Sequence, residues 1–227
     1  MTRDAATWTD YAEALALIGN SLLSPMSQTG AVGLDPKLWA NFPNFGDARV
    51  LEALEGLELY ARDAQVFAEA GGDAVSRASV EYTRLFIGPP RPAAPPWETL
   101  HSSEGATVGF GEPTFAMQRL LREAGLEISN ENNQYADHIG IELLYASVLC
   151  ARAAEAADAE DAEDAEAADA EATETQAALA EQLAAFAQEH PLGWIDRLIA
   201  ATNEAAPNGY IVSLLSLAKA LLTTLAE

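Results

Sequence analysis

Apolar residues recur at intervals of three and four along most of the 227-residue chain. This is the spacing of amphipathic helices. The first stripe consists of Trp8, Tyr11, Leu15, Ile18 and Leu22. We expect Thr7 or Thr9 to cap this helix and Ser24-Pro25 to end it.

The same spacing predicts further helices, and their boundaries follow from caps, prolines and glycines. The first of these is capped by Asp47 and ends at Gly71-Gly72, the second runs from Ser76 to Gly88-Pro89, and the third has Pro113 in its first turn and reaches Gly125. The fourth is the strongly patterned NQYADHIGIELLYASVLCARA, and the fifth carries Leu179, Leu183 and Phe186 on one face. A short helix at Trp194 and Leu198 and a last helix from Tyr210 to Leu225 follow. No segment alternates convincingly with period two. The sequence therefore predicts an all-α fold.

The stretch from Ala153 to Gln176 contains almost only alanine and acidic residues. Alanine favours helix, but like charges four residues apart oppose it, and no apolar face to dock is evident. We expect a solvated, flexible insertion (residues 153–176) within a single all-α domain spanning residues 1–227.

Composition and charge exclude several classes of protein. With 49% hydrophobic residues the chain can bury a core, and its apolar runs are too short for a membrane span. The acidic N-terminus does not resemble a signal peptide, so a cytoplasmic protein is expected. A net charge of −23 with only two lysines argues against nucleic-acid binding. This acidity fits either a basic partner or a high-salt cytoplasm.

The segment EYTRLFIGPPRPAAPPWETLH, residues 81–101, changes from a helical pattern to a proline-rich loop that ends at Trp97-Glu98. Proline fixes φ and removes a hydrogen-bond donor, so the loop should be extended and stiff. Two interpretations remain open: a rigid connector, or an arm that holds Trp97 at a groove.

Two further patterns carry candidate chemistry. In QYADHIGIELLY, Asp137 lies at a helix start, where it suits the helix dipole, and His138 lies four residues before Glu142 on the same face. That pair fits either a helical ion pair or half of a metal site. In HPLGW, His190 ends one helix and Trp194 begins the next. The single cysteine, Cys150, lies on an apolar face and is predicted to be an inert buried thiol.

The order EYTRLFIGP, PPWE, DHIGIELL and HPLGW resembles the TorD/DmsD/NarJ family of cytoplasmic maturation chaperones for molybdenum-containing redox enzymes. The resemblance spans roughly residue 80 to the C-terminus. Two departures are visible: no proline shortly precedes Asp137-His138, and the acidic insertion is longer than the usual connection.

The resemblance implies a non-enzymatic chaperone that binds the twin-arginine signal peptide, or another terminal segment, of a molybdopterin oxidoreductase precursor. It implies an all-α domain, either monomeric or a domain-swapped dimer, without cofactor or metal. By position, the peptide-binding residues would be Tyr82, Leu85, Phe86, Trp97, Glu98, Asp137 and His138. Glu98 and Asp137 would pair with the arginines of the signal peptide, Trp97 and Phe86 would line its apolar stretch, and His138 would add an anchor whose charge varies near neutral pH.

Two other classes remain as alternatives. Glu98 and His101 have the E-x-x-H spacing of a di-iron carboxylate protein, but such sites use two of these pairs. A generic helical adaptor would share the fold and lack any preference for twin-arginine segments.

Overall fold

The structure is a computed structural model that describes residues 3–102, 109–129, 134–160 and 166–227, without the side chains of residues 159–160 and 166–171. The described residues form eleven α-helices. They are α1 (Ala5–Leu23), α2 (Met26–Thr29), α3 (Pro36–Ala40), α4 (Ala48–Glu69), α5 (Ala74–Tyr82), α6 (Glu98–Ser102), α7 (Glu112–Glu123), α8 (Ile139–Glu160), α9 (Glu166–Glu189), α10 (Pro191–Ala205) and α11 (Tyr210–Ala226). A 3-10 turn at Val32–Leu34 and a π-helical turn at Thr83–Ile87 complete the list. The predicted all-α fold is confirmed.

Helix α8 lies at the centre of the molecule, between α1 and α9. Two glycines allow α1 and α8 to approach closely. A Cβ atom on Gly19 would lie 2.9 Å from the carbonyl oxygen of Gly140, and one on Gly140 would lie 2.7 Å from that of Gly19. Side chains at either position would therefore push the two helices apart, and with them the start of α8.

The core extends from this helix pair to α4, α10 and α11, and it includes ten buried residues of α11 alone. Cys150 is fully buried in it, and burial raises the pKa of its thiol to about 12, as expected for an inert cysteine. Within the described residues, no helix is both long and apolar enough to cross a membrane.

Several helix boundaries agree with the sequence pattern to within a few residues, but NQYADHIGIELLYASVLCARA becomes helical only at Ile139, α9 begins at Glu166, well before Leu179, and some caps differ. Asp47 caps α4 as predicted, since its carboxylate accepts a hydrogen bond from the backbone N–H of Arg49 at 2.7 Å. Helix α1 is capped by Asp4 rather than by Thr7 or Thr9, and α5 by Asp73 rather than by Ser76. In both cases the aspartate lies three or more residues before the predicted position and accepts a hydrogen bond from a first-turn N–H.

The expectation that the acidic segment lacks an apolar face was wrong for its described part. Residues 153–160 continue α8, residues 166–176 belong to α9, and Ala153, Ala154 and Ala157 are buried. Alanine side chains on one face are small enough to pack in the interior while the acidic residues between them remain outside. The prediction of a flexible insertion also includes residues 161–165, and these lie outside the described residues.

Candidate functional site

The proline-rich loop folds back onto the π-helical turn that precedes it. The backbone N–H groups of Ala93 and Ala94 donate to the carbonyl oxygens of Arg84 and Leu85 at 3.2 and 2.9 Å. The chain reverses its direction at Gly88, whose φ is 96°. Glycine suits this position because a residue with a Cβ atom would be strained in that conformation. The loop is therefore anchored along its length and delivers Trp97 to a defined place.

The end of this loop pairs with the residues that lead into α8. Glu98 N–H donates to the carbonyl oxygen of Asp137, and Ile139 N–H donates to that of Pro96, both at 2.9 Å. These bonds form an antiparallel bridge between Trp97 and His138. The two motifs that the sequence singled out are thus joined through the backbone.

The Asp137 carboxylate is fully buried and accepts from donors in two other parts of the chain. Oδ2 accepts from the backbone N–H and the hydroxyl of Thr99, at 3.0 and 2.6 Å, and Oδ1 accepts from the hydroxyl of Thr114 at 2.9 Å. These described partners lie in the first turns of α6 and α7. Asp137 therefore ties both helix starts to the approach to α8, and in this conformation it does not face a ligand.

Glu98 and Glu142 meet the HPLGW segment in the interior. His190 Nδ1 lies 2.9 Å from Glu98 Oε2, and the indole N–H of Trp194 donates to Glu142 Oε2 at 3.2 Å. Burial and the neighbouring charge of Glu98 raise the pKa of Glu142 well above its usual value. The three motifs PPWE, DHIGIE and HPLGW thus converge on one buried polar cluster.

The structure corrects the interpretation of His138. Its ring is fully buried, its Nδ1 accepts from the backbone N–H of Gly140 at 3.0 Å, and Phe86 and Trp97 lie edge-on to it at 6.2 Å. Burial lowers the pKa of His138 to about 3, so the ring is neutral near pH 7. The expected charge change near neutral pH, and an ion pair with Glu142, are therefore wrong.

The seven predicted site residues form one connected region, but they differ in exposure. Tyr82, Leu85, Phe86, Glu98, Asp137 and His138 are all buried, whereas Trp97 is partly exposed. Tyr82 packs edge-on against Phe86, and Phe86 against His138, which lies below Trp97. The burial of Glu98 and Asp137 corrects the expectation that these carboxylates face an arginine of a ligand in this conformation.

An exposed aromatic patch surrounds Trp97, and we define it as Trp97, Phe110, Phe115 and Tyr135. Tyr135 packs edge-on against Trp97 at 6.0 Å, and Phe110 joins Tyr135 to Phe115 at 5.4 and 5.0 Å. Phe110, Phe115 and Tyr135 are 44%, 45% and 39% exposed. Large exposed aromatic side chains in contact with one another are typical of binding surfaces.

Phe110, Phe115 and Tyr135 belong to none of the sequence motifs that predict the site. Gly109 was the available signal, because a Cβ atom there would lie 3.1 Å from the indole of Trp97, so the glycine lets the chain cross the ring. Glycine beside an aromatic residue is common in loops, however, and does not identify its partner. A hollow of about 490 Å³ begins at Gln134, the neighbour of Tyr135 in sequence, and Leu121, Ile141, Leu144 and Val148 line it together with several polar residues.

The E-x-x-H pair does not form a di-iron ligand set. His101 Nε2 lies 2.7 Å from the carbonyl oxygen of Pro95, and its ring stacks on Trp194 at 5.2 Å. The only candidate group of metal ligands among the described residues is Glu98, Glu142 and His190. A di-iron site requires about twice that number of ligands.

One family of known proteins matches most of the chain. The family described as nitrate reductase delta subunit matches residues 46–200, more than half of the chain. The chain belongs to this family.

The curated relatives match over shorter stretches. A protein of Salmonella typhi named "Tat proofreading chaperone DmsD" is 35% identical over 68 residues, which is 30% of this chain and 33% of that protein. A Haemophilus influenzae protein named "Probable Tat proofreading chaperone DmsD" is 29% identical over 69 residues, or 30% and 34% of the two chains. The alignments thus span about a third of these relatives. No solved structure gives a significant match.

Proposed function

We propose that this protein is a cytoplasmic maturation chaperone that binds the twin-arginine signal peptide, or another terminal segment, of a molybdenum-containing redox enzyme before export. Family membership and the names of the DmsD relatives support this class. The aromatic patch carries the proposal at the level of residues, because it offers an exposed apolar surface at the end of a fixed loop. In this proposal the protein acts by binding and not by catalysis.

The chemistry of a twin-arginine segment matches this surface. Its apolar stretch would pack on the aromatic patch and continue into the adjoining hollow, whose lining includes the aliphatic side chains of Leu121, Ile141 and Leu144. Its arginines would be attracted by the net charge of −23, and the exposed Glu127 at the hollow is a nearby carboxylate. The buried members of the site, Glu98, Asp137 and His138, would position Trp97 rather than touch the peptide.

A fixed arm favours binding because it reduces the conformational entropy that is lost when a complex forms. The hydrogen bonds of Ala93, Ala94 and Glu98 hold the proline-rich loop before any peptide arrives. Trp97 is therefore preorganised, and the exposed part of its ring is available to a ligand.

Fluorescence anisotropy with a labelled twin-arginine peptide from a molybdenum-enzyme precursor of the same cell tests this proposal. A labelled peptide is preferable to intrinsic fluorescence because the chain contains four tryptophans. We expect saturable binding, and Trp97→Ala to weaken it about thirty-fold, which corresponds to ~2 kcal/mol for an aromatic anchor.

A matched pair of variants separates the patch from general effects. Phe115→Ala removes a patch residue and should weaken binding, whereas Phe67→Ala removes a similarly exposed phenylalanine of α4 and should not. Equal affinities for the wild type, Trp97→Ala and Phe115→Ala would exclude the patch as the binding surface. A peptide with both arginines replaced by glutamine that binds as tightly as the original would favour the generic adaptor.

A further inference from the structure

Three side chains from distant parts of the chain meet in the interior near the site. Glu98 belongs to α6, Glu142 to α8, and His190 to the junction of α9 and α10. One oxygen or nitrogen atom of each lies within 4.8 Å of the corresponding atoms of the other two. Glu142 is fully buried and Glu98 is 6% exposed. Two carboxylates and an imidazole so far from water need strong compensating interactions.

The hydrogen bonds of the described residues do not fully supply that compensation. His190 Nδ1 lies within hydrogen-bonding distance of Glu98 Oε2, and the indole N–H of Trp194 donates to Glu142 Oε2. Glu142 Oε1 is inaccessible to solvent and has no hydrogen-bonding partner among the described residues. Buried polar atoms almost always have a partner, so this oxygen indicates that a ligand is missing from the cluster.

We propose that Glu98, Glu142 and His190 bind one divalent transition-metal ion. A cation between the two carboxyl groups would compensate the negative charge of both and would provide the partner that Glu142 Oε1 lacks. Coordination through His190 Nδ1 requires the imidazole tautomer that carries its proton on Nε2, because a metal binds the nitrogen that has a free lone pair.

The donor set selects the class of metal. Two carboxylate oxygens and one imidazole nitrogen suit Zn²⁺, Mn²⁺ or Fe²⁺, whereas Mg²⁺ and Ca²⁺ prefer six or more oxygen ligands. Zinc binds carboxylate oxygen and imidazole nitrogen at about 2.0–2.2 Å, and the three candidate ligand atoms lie within 4.8 Å of one another, so small side-chain adjustments bring them to one ion. Trp194 already orients one Glu142 oxygen from outside the set, as partners of metal ligands commonly do.

A metal ion here would link α6, α8 and the junction of α9 and α10 at one point. Glu98 and His190 are 92 residues apart in sequence, and Glu98 directly follows Trp97. The ion would therefore fix the position of Glu98 and, through it, of the neighbouring Trp97 in the aromatic patch. This inference does not depend on the proposed peptide binding, since it concerns a separate, buried ligand set.

Equilibrium dialysis of the metal-stripped, full-length protein against Zn²⁺ tests the proposal. Excess Mg²⁺ in the buffer suppresses weak binding to the acidic surface. We expect one Zn²⁺ per chain, with a melting temperature that rises with Zn²⁺ concentration. Glu142→Gln and His190→Gln should each lower the affinity at least ten-fold and remove the thermal shift.

The control is Glu81→Gln, because Glu81 is another partly buried glutamate, but it accepts from the backbone N–H of Ile211 and lies outside the cluster. This variant should bind Zn²⁺ like the wild type. Absence of stoichiometric Zn²⁺ from the wild type, or unchanged binding in both cluster variants, would overturn the proposal.

Folding of the variants is checked by circular dichroism without metal. Glu142→Gln keeps the size of the side chain and an acceptor for Trp194, and it removes one buried carboxylate. If it nevertheless fails to fold, Co²⁺ absorption spectra of the wild type and His190→Gln decide. Visible bands that are present in the wild type and lost in His190→Gln support the site, and identical spectra contradict it.

Discussion

Asp137 illustrates how the environment of one side chain determines its role. In the sequence it appears as an acidic residue available at a helix start. In the structure its two oxygens accept from Thr99 and Thr114, which belong to α6 and α7. Because α6 begins immediately after Trp97, the carboxylate fixes the direction in which the indole leaves the loop. It can influence binding without contacting a ligand.

Asp137→Ala should therefore lower stability more than a surface substitution. It leaves the buried N–H and hydroxyl of Thr99 and the hydroxyl of Thr114 without their acceptor, and we expect a loss of about 2–4 kcal/mol in the free energy of unfolding. Urea denaturation measures this value. Asp137→Asn, which keeps one acceptor oxygen, should lose less. A loss below about 0.5 kcal/mol for the alanine variant, the level of a surface site, would contradict this role.

At the level of elements, the sequence predicted the helices well where their pattern is local. Asp47, Pro113 and the glycines after α4 mark helix ends through interactions within a few residues, so these boundaries were readable. The meeting of PPWE and DHIG was predictable because the two motifs are recognisable together, and the backbone pairing of Trp97 with His138 joins them. Its internal contacts were not predictable, because the partners of Glu98 and Asp137 lie in segments whose approach depends on the whole fold.

The acidic segment was misjudged for a related reason. A run of alanine and acid gives no clear apolar stripe by residue type, yet alanines that share a face can pack against another helix. In the described part of the chain, α8 packs against α9, and the buried Ala153, Ala154 and Ala157 belong to the end of α8. Only the tertiary structure shows that this weakly apolar face has a partner.

A pair of equal substitutions in α8 tests this packing. Ala157→Leu adds a larger side chain at a position that is 5% exposed, so overpacking should lower the free energy of unfolding by about 1–3 kcal/mol. Ala151→Leu makes the same change at an exposed position six residues earlier and should be nearly neutral. Thermal and urea denaturation of both variants compare them directly. Equal stabilities would indicate that the end of α8 is solvated, as the sequence suggested.

The charge of the whole molecule affects both stability and binding. The chain has 35 acidic and 12 basic residues, and most ion pairs between described side chains are exposed and contribute little. The remaining acidic residues repel one another across the surface, which destabilises the compact state. The same charge attracts a basic peptide. Salt therefore acts in opposite directions on folding and on the encounter with an arginine-containing ligand.

We expect the melting temperature to rise between 0.1 and 1 M KCl, because the Debye length falls from about 10 to 3 Å over this range and the repulsion is screened. Over the same range the labelled twin-arginine peptide should bind more weakly.

Replacing Glu52, Glu55 and Glu69, all exposed on α4, with glutamine should reduce the thermal effect of salt because it removes three like charges. A melting temperature that falls with KCl would show that self-repulsion does not limit stability. Peptide affinity that is independent of KCl would instead show that apolar contact with the aromatic patch, and not charge, determines binding.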